Sequence, residues 1–125
     1  MGMRQDGIVR LAESSDGDPV GSFFGGFSYH LRWASPQTRM VRLDVFPDRV
    51  VVRPRSGRRS FFVPNWEAGY SELRPVGVVR RPLFRGIRLR RSDGDTFTFR
   101  PAGDFLTDGV EPLLAALRAA GAVIE

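Results

Sequence analysis

The only histidine in the chain, His30, is the first residue to weigh as a chemical group. It sits in an alternating run, on the polar side with Ser28 and Arg32, where a histidine is ordinarily solvated rather than poised as a base. Asp93 and Asp95 form a close pair of carboxylates, the pattern that acid–base work or cation binding would need. They flank Gly94, and acids beside a glycine ordinarily serve turn geometry. Asp16-Gly17-Asp18 lacks the further oxygen ligands of a calcium loop. Ser22, Ser28 and Ser71 have no Gly-x-Ser-x-Gly elbow around them. Cysteine is absent, which excludes thiol catalysis, disulfides and cysteine-ligated metals. No catalytic residue, cofactor or metal site is assigned, and an enzyme is the least supported class.

Arginine offers more. Arg53, Arg55, Arg58 and Arg59 surround one loop, and Arg80, Arg81 and Arg85 surround another. With Phe61, Trp66 and Phe84 nearby, these seven are the candidate anion-binding residues, able to hold phosphates while the rings stack on bases. The same clusters would suit acidic lipid headgroups. Arg88 and Arg90 share one strand face, opposite Ile87 and Leu89. The plainer explanation is coding bias in a G+C-rich, bacterial genome: all 19 basic residues are arginine, with no lysine. The rings also have an equally good use as core. If the two clusters converge free of acids, anion binding gains; if helix carboxylates intersperse them, it loses.

Charge is uneven. Residues 1–48 carry 5 Arg and 6 acids (net −1), residues 49–100 carry 13 and 4 (+9), and residues 101–125 carry 1 and 4 (−3), giving the overall +5. At 125 residues and 42% hydrophobic, one domain with a real core is expected. No apolar run is long enough to span a membrane and no secretion signal is recognisable, so a cytoplasmic protein, at most peripheral to a membrane, is expected.

The elements that must position these residues are mostly strands. Residues 1–21 read as a flexible arm and residues 22–125 as the domain. The double glycine at 25–26 suggests a bulge or a preceding loop. Ser28–Ala34 alternates as one strand, with Tyr29, Leu31 and Trp33 inward. Arg39–Phe46 and Arg49–Arg53 form a hairpin about Pro47-Asp48, with Arg42 and Asp44 outward. Ser60–Val63 reads as a short strand, Trp66–Tyr70 as a helical turn or a loop tucking Trp66 inward, and Glu72–Arg80 as a further strand. Gly86–Arg91 and Thr96–Arg100 form a second hairpin with a two-residue turn at Asp93-Gly94. The helix falls within Thr107–Gly121, where Val110, Leu113, Leu114 and Leu117 make one apolar stripe; Asp108 and Glu111 mark its start and Gly121 its end.

About seven hairpin-linked strands before a single helix imply a mainly β fold, an antiparallel barrel or two packed sheets with the helix plugging one end. The order resembles the pleckstrin-homology-like (PH-like) fold of bacterial proteins. The likeness rests on Phe62-Val63-Pro64 followed by Tyr70-Ser71-Glu72-Leu73-Arg74-Pro75-Val76. It continues through Gly86-Ile87-Arg88-Leu89, Asp93-Gly94-Asp95, Phe97-Thr98-Phe99 and the closing Leu113-Leu114-Ala115-Ala116-Leu117. The resemblance covers residues 28–121 and implies a recognition module rather than an enzyme. Members that bind phosphoinositides do so through basic residues around the first hairpin loop, here Arg32, Arg39 and Arg42. Arg39 and Arg42 are three apart instead of two, which puts them on opposite strand faces. Protein–protein interaction or scaffolding is therefore the first expectation, and binding of acidic lipid or nucleic acid through the arginine-rich loops the alternative.

Overall fold

The computed structural model describes residues 17–57, 62–81, 84–103 and 109–125. Residues 1–16 of the expected arm, Arg58, Arg59, Phe61 and Asp108 lie outside the described residues. Among the described residues there are eight strands: β1 (Gly21–Tyr29), β2 (Arg32–Ala34), β3 (Val41–Val45), β4 (Arg49–Pro54), β5 (Trp66–Gly69), β6 (Gly77–Arg81), β7 (Phe84–Arg90) and β8 (Thr96–Pro101). The helix α1 (Val110–Ala120) follows them. The strands form an open antiparallel sheet in the order β5-β4-β3-β1-β8-β7-β6, with β2 folded back on β1. The fold is thus mainly β with a C-terminal helix.

β1 is the corner of the sheet. Its first half, Gly21–Gly25, pairs with β3, and its second half, Gly25–Ser28, pairs with β8. The glycine pair therefore lies inside a continuous strand, not in a bulge or loop before one. At Gly25 a Cβ would overlap the Arg100 carbonyl, and at Gly26 the Ala34 carbonyl. Neighbouring backbones come so close there that only glycine fits.

The remaining strands follow hydrophobic alternation. Val41, Leu43, Val45, Val50 and Val52 point inward from the β3–β4 hairpin and meet Ile87, Leu89, Phe97 and Phe99 from β7 and β8. Helix α1 lays Val110, Leu113, Leu114 and Leu117 on this core and ends at Gly121 in the left-handed conformation. Trp66 tucks inward as the first residue of β5, and a 3₁₀ turn at Tyr70–Glu72 follows that strand. Phe62 and Val63 form a bend, not a strand.

Two expectations about facing are corrected. Asp44 is buried although its strand parity points it outward, because Ser22 Oγ donates to it at 2.6 Å and Arg42 and Arg53 approach it at 3.2 and 3.6 Å. The run Ser28–Ala34 is not one strand: it reverses at His30-Leu31, with His30 at φ 54°. The register pairs Tyr29 with Arg32 and Ser28 with Trp33, so the reversal sends Trp33 to the opposite face from Tyr29.

Candidate functional site

Antiparallel pairing decides which loops share an end of the sheet. β4 and β7 both run parallel to β1, so the loop after β4, the turn after β7 and the β1–β2 turn gather at one end. β6 ends and β7 begins at the other end. The two arginine clusters are therefore apart: Arg53 and Arg55 belong to the first end, Arg80, Arg81 and Arg85 to the second.

Carboxylates also intersperse them. Arg80 meets Glu111 of α1 at 2.6 Å, and Arg53 lies against buried Asp44. Arg55 covers the Phe24 ring with its guanidinium 5.7 Å from the centroid. Arg85 is exposed, and Arg81 closes β6. Of the family-derived trio, Arg32 stands 5.9 Å over the Tyr29 ring, Arg42 pairs with Asp44, and Arg39 adopts φ 51° after a 3₁₀ turn.

The first end holds a constellation that sequence reasoning treated as separate residues. Asp95 Oδ2 accepts from Tyr29 Oη at 2.8 Å, from Trp66 Nε1 at 3.0 Å and from an Arg91 NH2 group at 3.1 Å. His30 Nε2 lies 3.7 Å from the other oxygen, and its ring meets the Tyr29 ring edge-on at 4.3 Å. The Arg91 guanidinium is 5.1 Å from the Trp66 ring centroid and donates to the Glu67 carbonyl at 3.0 Å. Burial, then the bond to Asp95, raises the Tyr29 pKa and keeps the phenol a donor. Asp93 is shifted the other way, chiefly because the Asp95 backbone N–H donates to it. A histidine beside a carboxylate is a familiar acid–base arrangement. Here the carboxylate is already committed to three donors, and its geometry suits bracing. Among the described residues no three histidine or acidic side chains are grouped to hold a metal ion.

The brace fixes the β1–β2 turn, and what that turn presents is apolar. Leu31 is 98% exposed, Trp33 64% and Phe62 42%. Arg32 donates to the Phe62 carbonyl at 3.4 Å, tying the neighbouring bend to the hairpin, while the Phe62 ring packs edge-on against Phe27 at 5.9 Å. Isolated exposed apolar residues are ordinary. Here Leu31 on the turn and Trp33 on the adjoining β2 are both exposed beside a carboxylate that holds three donors. Alternation places both on one face of a single strand with Tyr29, and no glycine in the sequence marks the reversal at His30-Leu31.

No family model matches the sequence, and no curated protein matches it. The fold is similar to the crystal structure of the C-terminal domain of an unknown protein from Leishmania infantum, with a TM-score of 0.61 at 14% identity. The alignment covers 91% of this chain and 94% of that one, and at such identity the likeness is one of fold. No helix among the described residues is long and apolar enough to cross a membrane.

Proposed function

We propose that this chain is a non-catalytic PH-like recognition module that docks another protein through its β1–β2 turn. The PH-like reading is supported by the strand order: a meander leads away from β1 on one side, returns to it through β8, and is followed by α1. The observation that carries the docking reading is the exposure of Leu31 on the turn and Trp33 on β2 beside it, in a hairpin whose base Asp95 holds through Tyr29. Tryptophan is among the commonest energetic centres of protein interfaces, and a pre-ordered turn loses little entropy on binding.

The test is site-specific photo-crosslinking in the native host. A photoreactive residue at position 31 is expected to trap one protein, with no such product from position 111 on the exposed side of α1. Crosslinks to lipid or nucleic acid alone at position 31 would overturn the proposal. The alternative, attachment to acidic lipid or nucleic acid through the arginine-rich loops, draws its support from net charge; the separation of those loops and the Glu111 and Asp44 pairings weigh against it.

A further inference from the structure

A second surface adjoins the turn on the outward face of the sheet. Strand register lines up Trp33, Ser28, Thr98 and Arg88 in one outward row: Trp33 opposite Ser28, Ser28 opposite Thr98, Thr98 opposite Arg88. In the adjoining row Arg100 stands opposite Gly26, and Val79 opposite Gly86. The glycines contribute no side chains, and a groove of about 260 Å³ is left, lined by Ser28, Arg85, Gly86, Arg88, Thr98 and Arg100. No carboxylate is among the described residues that line it. Arg100 donates to Ser28 Oγ at 2.9 Å, which sets its guanidinium beside a hydroxyl in the groove, and burial lowers its pKa.

Carboxylates bound this basic strip. Arg80 is paired with Glu111, and Arg90 with Glu125 at 3.3 Å. A Glu125 oxygen lies beside Gly77, which faces Arg88 at the end of the row. From Trp33 to Arg88 the row crosses three strand spacings, about 14 Å. An extended chain covers that distance in about four residues. A polynucleotide would carry its phosphates onward into Glu125 and Glu111, and one exposed indole is a poor stacking track. The dimensions favour a short peptide with a local acidic group.

We propose that the groove receives an acidic segment of the docked protein: an apolar side chain packs on Trp33, and a carboxylate or phosphate about four residues along is held by Arg88, Arg100 and the Ser28 and Thr98 hydroxyls. This rests on the docking function above and names the chemistry of its partner. Guanidinium and hydroxyl donors together satisfy several oxygens of one oxyanion, and such charge-assisted bonds are the strong ones.

The experiment selects binders from a random-peptide display library against the intact 125-residue protein. Synthetic fluorescein-labelled versions are then measured by anisotropy in about 0.15 M salt. Enriched peptides are expected to share an apolar residue with Asp or Glu three to five positions away. Affinity should fall on the order of tenfold in Arg88→Glu, in Trp33→Ser, or when the peptide's acid becomes alanine. Phosphoserine in place of that acid should bind at least as well, and separates the two anion types. Arg88 is exposed, so its variants should keep the parent's thermal midpoint, and Arg88→Ala checks that Glu introduces no new contact.

Loss of binding in Trp33→Ser with none in either Arg88 variant would overturn the acidic partner and leave the docking turn standing. Indifference to all three variants, or no enrichment over a control protein, would overturn both. An oligothymidylate that binds more tightly than the best peptide at the same salt would overturn the peptide in favour of nucleic acid.

Discussion

The Tyr29 hydroxyl donates to Asp95 Oδ2 at 2.8 Å, joining residues 66 positions apart. Trp66 and Arg91 donate to the same oxygen, so one carboxylate fastens β1, β5 and the β7–β8 hairpin at a single end of the sheet. Asp95→Leu should strand those donors, at about 1–3 kcal/mol for each group left buried and unpaired. Asp95→Asn, which still accepts, should cost less. Urea denaturation measures both, and Tyr29→Phe should cost much less in the Asp95→Leu background than in the parent. Additive losses in that cycle would show that the bond contributes nothing.

Leu117 is fully buried between α1 and the sheet, one turn beyond Leu113 and Leu114. Leu117→Ala should leave a cavity costing about 2–5 kcal/mol. That is a large share of the roughly 5–15 kcal/mol available to a domain. A thermal midpoint equal to the parent's would mean that the helix does not hold the core.

The helix and the β3–β4 hairpin were legible because each carries its period without interruption: Val110, Leu113, Leu114 and Leu117 at helical spacing, and Val41, Leu43 and Val45 at alternate positions. The display at Leu31 and Trp33 was not. Tyr29, Leu31 and Trp33 keep perfect alternation in sequence, but a two-residue turn lies within it and reverses the chain. Pattern cannot distinguish an unbroken strand from a tight hairpin when no glycine marks the bend, and His30 takes the left-handed position instead. Asp95 read as a turn residue for a related reason. Its partners Tyr29 and Trp66 lie 66 and 29 positions away, and only the curled sheet brings them together. The basic row of Ser28, Thr98 and Arg88 likewise depends on register across three strands.

The β7–β8 hairpin separates two costs of adding a side chain to glycine. The expected two-residue turn is in fact a three-residue loop, Ser92–Gly94, closed by Arg91 N–H to Asp95 carbonyl at 2.9 Å, with Gly94 N–H donating to the Arg91 carbonyl at 2.9 Å. Gly94 has the expected positive φ, 95°, and a Cβ there would touch nothing. Gly94→Ala should therefore cost only backbone strain, roughly 1–2 kcal/mol. Gly25→Ala has ordinary φ but would drive its Cβ into the Arg100 carbonyl, so the corner of the sheet cannot form as it stands. Expression and thermal melting should show a folded, modestly weakened Gly94→Ala and a severely destabilised Gly25→Ala. Equal melting of the two would contradict the corner.

Tyr70 makes stability depend on alkaline pH. Its hydroxyl donates to the Phe46 carbonyl at 2.8 Å, and burial, then the nearby charge of Asp48, pushes its pKa from 10.0 up to about 12. The unfolded chain gives up this proton first. The contribution is therefore complete below pH 10 and is lost as pH rises from 10 toward 12, where the folded phenol also ionises. Tyr70→Phe should be weaker than the parent at neutral pH by about 1 kcal/mol for the lost hydrogen bond. It should then lose less stability on going to high pH, because it has no proton to release at that position. Tyr29, also raised, is present in both proteins and contributes the same background slope. Urea midpoints taken at neutral pH and between pH 10 and 12 should converge for parent and variant. Midpoints that stay parallel across that range would show that Tyr70 titrates alike in the folded and unfolded chains.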